Sequence, residues 1–302
     1  MVEIATFDYS VFKKLKKILL KKCLLNCFEE EYEIIRHIND GSVSKIYQIQ
    51  RKENLKEFAV KIIDKRVFSL DEDLYDKLYS EIKTLRCLNH ENLVDFEAVH
   101  ETKKRVMIVM ELVSGPNLLL AHTLGNLLTE PQLKFIMKSA LLALDFLHRK
   151  GIAHRDLKPD SFVLVKPGKP NLDNQLKLIS YSDCYFFRAK RARLAKKAGT
   201  VGFVAPECFG IDYKNYMFIN YGSSDIWSLG AVLYYLATKR FVFSVDSQMQ
   251  LIEANVKGDV QLKHRHFLKL SLRSKSAFRA ENEIFSVLVD FFGLRSTTFH
   301  FL

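Results

Sequence analysis

Between Glu33 and Leu112 the β-branched and aromatic residues fall into five short runs. These are residues 33–38, 45–51, 57–63, 93–100 and 105–112, separated by polar turns. Such a texture predicts antiparallel strands. One helix interrupts them. Ser69 and Glu72 have the Ser-x-x-Glu spacing of a capping box, and Leu74, Leu78, Ile82 and Leu85 follow at helical intervals. Beyond Gly115 the pattern is mainly helical. Thr129 and Gln132 form a second capping box. Leu133, Ile136, Met137, Ala140, Leu141, Leu144 and Leu147 then mark one buried face over about four turns. A small sheet with one helix, followed by a larger helical half, is an α+β chain with two lobes. No internal repeat is visible.

Composition narrows the classes further. The 302 residues are 48% apolar and 27% charged, which excludes collagen-like and disordered chains. No apolar stretch approaches the roughly 18 residues that span a bilayer, and the first ten residues lack a secretory pattern. The five cysteines (Cys23, Cys27, Cys87, Cys184, Cys208) never form CxxC. That argues against a disulfide framework or zinc site and for a reducing, cytoplasmic setting.

The net charge of +11 is concentrated in two places. Residues 11–28 hold six Lys and no acid, and residues 186–197 hold six Lys and Arg and no acid. The rest has 34 basic against 35 acidic residues. This distribution argues against a nucleic-acid binder, which would spread its charge and interleave aromatics. Residues 1–31 read as a basic amphipathic extension. Phe12, Leu15, Ile18 and Leu19 form one face and Lys13, Lys14, Lys16, Lys17, Lys21 and Lys22 the other. Such a helix suits an anionic membrane surface or a partner's groove, which would make the protein membrane-peripheral. The plainer reading is a helix packed on the protein's own body.

Six motifs in fixed order carry a resemblance: Ala59-Val60-Lys61, Glu81, Met110-Glu111-Leu112-Val113, His154-Arg155-Asp156-Leu157-Lys158-Pro159, Gly199-Thr200 with Ala205-Pro206-Glu207, and Asp225-Ile226-Trp227-Ser228-Leu229-Gly230. Together they resemble the eukaryotic protein kinase family, in its Ser/Thr, calcium/calmodulin-dependent-kinase-like branch. The resemblance runs from about Tyr32 to Arg295. It implies a bilobal fold with an N-lobe at about 32–113 and a C-lobe at about 114–302. It implies ATP as cofactor and a protein substrate or regulatory protein partner. Lys61, held by Glu81, is expected to neutralise phosphates. Asp156 is expected to orient a substrate hydroxyl and accept its proton, and Lys158 to meet the γ-phosphate. Gly41, Val43, Ala59 and Met110 are expected to line the nucleotide. Backbone groups of Glu111 and Val113 are expected to pair with adenine.

The resemblance fails at three places that touch the nucleotide. The glycine-rich loop aligns as Asn39-Asp40-Gly41-Ser42-Val43-Ser44, with one glycine left and an acid that repels a triphosphate. The metal-binding Asn aligns with Ser161, and the Asp-Phe-Gly triplet with Ser180-Tyr181-Ser182. Mg²⁺ favours carboxylate oxygens, so neutral hydroxyls serve it poorly and no residue is assigned as a metal ligand. Asp160 and Asp183 are the neighbouring carboxylates, and either would need altered backbone to substitute. Two further departures lie elsewhere. No Ser, Thr or Tyr stands between Tyr185 and Thr200, so Arg155 lacks the phosphate that it pairs with in many relatives. Phe291-Phe292 replaces a common Asp-Pro before Arg295, the expected partner of Glu207. Seven residues follow Arg295, too few for the family's last helix, with Phe299, Phe301 and Leu302 as candidates to cover the gap. The combined expectation is a catalytically impaired kinase homologue, a pseudokinase acting as scaffold or allosteric partner. The alternative is a slow Ser/Thr kinase.

Overall fold

The computed structural model describes residues 24–25, 27–69, 73–125, 127–171, 173–187, 198–209, 221–243, 248–257, 264 and 267. Outside the described residues lie the lysine-rich stretch up to Lys22, Glu72 of the first capping box, the basic residues 188–197, Phe291-Phe292, Arg295 and the last hydrophobic residues. The chain divides into two compact units, one holding the described residues up to Asn89 together with Val94–Val113, the other holding His90–Leu93 and the described residues from Ser114 onward.

The smaller unit is a six-stranded sheet. In chain order its elements are β1 (Leu24–Leu25), α1 (Phe28–Glu31), β2 (Tyr32–Asp40), β3 (Ser44–Arg51), β4 (Glu57–Asp64), a 3-10 turn at Lys65–Ser69, α2 (Asp73–Leu85), β5 (Phe96–Glu101) and β6 (Arg105–Glu111). The strand order is β1-β5-β6-β4-β3-β2. All pairings are antiparallel except β1 with β5, where Leu24 faces Val99 and Leu25 faces His100. Strand alternation sorts the side chains by face. Phe58, Val60, Met107, Val109 and Ile49 enter one buried cluster with Phe28, Tyr32 and Ala98. Ala59 and Lys61, one residue out of phase, stand on the opposite face beside their register partners Met110 and Ile108.

One expected boundary shifts. The fourth run begins as a strand at Phe96, not at residue 93, because His90–Leu93 packs with the larger unit. There Leu178 N donates to Asn92 O at 2.8 Å and buried Lys177 donates Nζ to Leu93 O at 3.0 Å. Phe28, 3% exposed, stacks on Tyr32 and meets His100 edge-on, so it packs within the smaller unit.

The larger unit contains α3 (Leu118–Leu124), α4 (Glu130–Arg149), β7 (Ile152–Ala153), a 3-10 turn at Pro159–Ser161, β8 (Phe162–Leu164), β9 (Leu176–Leu178), β10 (Tyr185–Phe186), α5 (Pro206–Phe209), α6 (Tyr221–Thr238) and α7 (Gln248–Lys257). The Thr129–Gln132 capping box forms as its spacing predicts. All seven apolar residues of the predicted face of α4 are buried. β7 pairs with β10 and β8 with β9, both antiparallel. These two ribbons flank the loop from His154 to Lys158. Gly115 lets the chain pass at a distance that only glycine permits, since an added Cβ would lie 2.2 Å from the Leu164 carbonyl oxygen.

Candidate active site

In the smaller unit, Lys61 Nζ reaches both carboxylate oxygens of Glu81 at 2.7 Å. Lys61 comes from the middle of β4. Glu81 sits two turns along α2, on the side that also buries Leu78 and Leu85. The Glu81 side chain is only 5% exposed and that of Lys61 17%. A carboxylate taken out of water in this way needs its cation. The pair therefore fixes the ammonium in place and leaves it partly open to an anion. Ala59 lies two residues before Lys61 on the same face.

The β2–β3 turn is tight. Gly41 N donates to Ser44 O at 2.8 Å, and Asn39 and Asp40 are still strand residues. Asp40 Oδ1 lies 3.0 Å from His37 Nε2. At the end of β6, Glu111 N donates to Asp95 O at 2.9 Å. Any contact with a base at Glu111 would therefore have to use its carbonyl. Val113 follows as a half-buried residue.

In the larger unit a cluster forms around Asp156. Thr200 Oγ1 donates to Asp156 Oδ1 at 2.6 Å, and Lys158 Nζ donates to Asp156 Oδ2 at 2.8 Å. Lys158 also donates to Thr200 Oγ1 at 3.0 Å. Both carboxylate oxygens are thus held by a cation and a hydroxyl. The loop carrying them is clamped from beneath. Asp225, 1% exposed on α6, accepts from the backbone N–H of His154 and of Arg155, each at 2.8 Å. His148 Nε2 donates to the same carboxylate at 2.8 Å. Burial opposes the Asp225 charge. The His148 hydrogen bond, with the nearby His148 and His154 and the Arg155 N–H, outweighs it and holds the carboxyl below its usual range. Arg155 takes φ +70°, a conformation that costs a non-glycine residue about 1–2 kcal/mol. The Asp225 bond to its N–H is what over-determines that turn.

The two positions aligned with metal ligands are both serine. Ser161 is buried, and its Oγ donates to the Asp156 carbonyl at 3.0 Å, so the hydroxyl props the Asp156 loop from within. Ser180 is exposed and holds φ +69°. Asp160 lies on the 3-10 turn and Asp183 accepts from Ser182 Oγ at 3.5 Å. No group of three or more potential metal-binding side chains occurs among the described residues. Two neutral hydroxyls, one of them already engaged, do not fit a hard divalent cation. The partly open Lys61 ammonium does fit a phosphate. In the sequence Thr200 stands out only as part of a motif, and His148 not at all. The first acts through a fold contact 44 residues distant from Asp156, and the second lies at the end of an apolar helix face.

Comparison with known proteins shows the family. The family described as "Protein kinase domain" matches residues 32–292. The chain belongs to the protein kinase family. Among its relatives, the serine/threonine-protein kinase cds1 of Schizosaccharomyces pombe is 29% identical over 79% of this chain and 51% of the relative. Calcium/calmodulin-dependent protein kinase type 1 of Caenorhabditis briggsae is 30% identical over 82% of this chain and 65% of the relative. CBL-interacting protein kinase 5 of Oryza sativa is 28% identical over 76% and 48%. The chain thus spans about half the length of these kinases. The family is of the Ser/Thr type, and the α+β architecture is the protein kinase fold. No helix among the described residues is long and apolar enough to cross a membrane.

Proposed function

We propose that this chain is a Ser/Thr-type protein-kinase-like domain with impaired phosphoryl transfer, a pseudokinase that works as a signalling scaffold or allosteric partner. The observation that carries the reading is the engaged hydroxyl of Ser161 beside a serine at position 180. In a family whose transferring phosphoryl group is stabilised chiefly by charge, a site without that charge loses several kcal/mol. A loss of about 4 kcal/mol slows a reaction roughly a thousandfold. Lys61, fixed by Glu81, retains the means to bind ATP through its phosphates. Asp156 retains the means to orient a hydroxyl.

The second reading is a slow protein kinase acting on protein hydroxyls. It is favoured by the intact Asp156–Lys158–Thr200 cluster. There Asp156 would take the hydroxyl proton while Lys158 and Thr200 hold its carboxylate. Regulation by a protein partner, a cytoplasmic location and contact of residues 11–28 with an anionic membrane surface complete the proposal. The lysine content of that segment supports the last point.

Two measurements on the purified chain test it. ATP should raise the melting temperature equally with and without Mg²⁺. Transfer of phosphate from ATP, with Mg²⁺ or Mn²⁺, should not exceed that of Asp156→Asn. Transfer that Asp156→Asn abolishes would replace the pseudokinase reading with the slow kinase.

A further inference from the structure

Residues 186–199 contain no Ser, Thr or Tyr, so no hydroxyl in that stretch offers a place for a phosphate. The arginine at the head of the Asp156 loop nevertheless has a built seat. The guanidinium carbon of Arg155 lies 5.7 Å from the ring centroid of Tyr185 and 5.8 Å from that of Tyr221. The two rings are 4.8 Å apart, tilted by 54°. Both distances fall inside the roughly 6 Å range of a cation–π contact. Tyr221 is buried and packs with Ala153, and Tyr185 is half-buried against the same group. Burial raises the Tyr185 hydroxyl above its usual range against the lowering effect of Arg155, so the ring face stays that of a neutral phenol.

The three residues come from three segments. Arg155 belongs to the loop. Tyr185 opens β10, which pairs with β7 just ahead of that loop. Tyr221 opens α6 one helical turn before Asp225. One helix therefore holds Arg155 twice, its N–H through the Asp225 carboxylate and its guanidinium through the Tyr221 ring.

We propose that Arg155, seated on Tyr185 and Tyr221, is a phosphate-independent latch that ties the loop carrying Asp156 to β10 and to the start of α6, with both tyrosines as positioning residues. The latch does the same work whether or not the chain transfers phosphate.

The test is hydrogen exchange at residues 152–158 of the full chain. Phe, then 3,4,5-trifluorophenylalanine, replaces Tyr221 and, separately, Tyr185. Fluorine withdraws charge from the ring face and barely alters its shape, so packing alone predicts no difference between the two. The Phe variants should exchange within about twofold of the parent, and the trifluoro variants about three- to tenfold faster. Phosphatase treatment of the parent should leave exchange unchanged. Equal exchange in Phe and trifluoro variants would reduce the seat to packing and overturn the latch. Several-fold faster exchange after phosphatase would show that a phosphate holds the loop instead.

Discussion

Replacing Asp225 with Asn exchanges one acceptor for a donor at a place where all three neighbours are donors. In the native carboxylate Oδ2 receives His148 Nε2 and the His154 N–H, while Oδ1 receives the Arg155 N–H. The amide oxygen of Asn can take the two-bond side. Its NH₂ then faces the N–H of Arg155, and that buried donor has no acceptor. A hydrogen bond to a charged group is worth about 1.5–3 kcal/mol, and an unsatisfied buried donor costs about 1–3. The two overlap, so the expected loss is about 2–4 kcal/mol. Trp227, the sole tryptophan, lies two residues along the same helix and reports unfolding of the larger unit by fluorescence in urea. A pH series sharpens the test. The Asp225 carboxyl is depressed below the ordinary value of about 3.9. Its contribution is complete above about pH 4 and is lost as pH falls through the depressed value. Asn does not titrate there, so the gap between parent and variant should narrow below about pH 4. A gap under about 0.5 kcal/mol at pH 7, or one that stays constant into acid, would refute the reasoning.

Lys61→Met strands the buried Glu81 carboxylate and should destabilise the smaller unit by about 2–4 kcal/mol, read by calorimetry. The further change Glu81→Leu should recover part of the loss, and no recovery would show that charge is not the cause. Gly115→Ala forces a methyl onto the Leu164 carbonyl and should cost more than about 2 kcal/mol in the larger unit. A melting temperature equal to that of the parent would rule this out. Burial pushes the Cys208 thiol up to about 11, against a lowering hydrogen bond to Ser224. At pH 8.5 iodoacetamide should therefore label exposed Cys87 at least about tenfold faster than Cys208, with Cys208 catching up only near pH 11. Since an unfolded thiol ionises near 8.5, the stability that Cys208 contributes is whole below that pH and fades as pH rises toward 11. Equal labelling rates at pH 8.5 would contradict the shift.

The parts that read well from sequence are those set by periodicity and local chemistry. The runs at 57–63 and 105–112 mark the strands that carry Lys61 and Met110, and the Thr129 box marks the start of α4. The parts that did not read well depend on contacts distant in sequence. Leu93 looks like the start of a strand because it heads an apolar run, yet Lys177 and Leu178 bind it and Asn92 into the other unit. Thr200 stands out only as part of a motif until the fold brings it to Asp156. The left-handed turns at Arg155 and Ser180 carry no signal in residue type, since neither is glycine or asparagine. The serines at 161 and 180 were visible at once, but not that one of them spends its hydroxyl on the loop itself.

Phe28 fastens the start of the described chain to the sheet. The lysine pair at 21–22 stands one residue ahead of β1, and β1 is joined to β5 at Leu24 and Leu25. Beyond it the Phe28 ring is wedged between Tyr32 and His100, with centroids 5.5 Å from each. A pull on the lysine-rich stretch would load two strand residues first and then that ring, before any strain reached Lys61. A fragment cut at Tyr32 would keep all six motifs that carry the resemblance and lose this anchor.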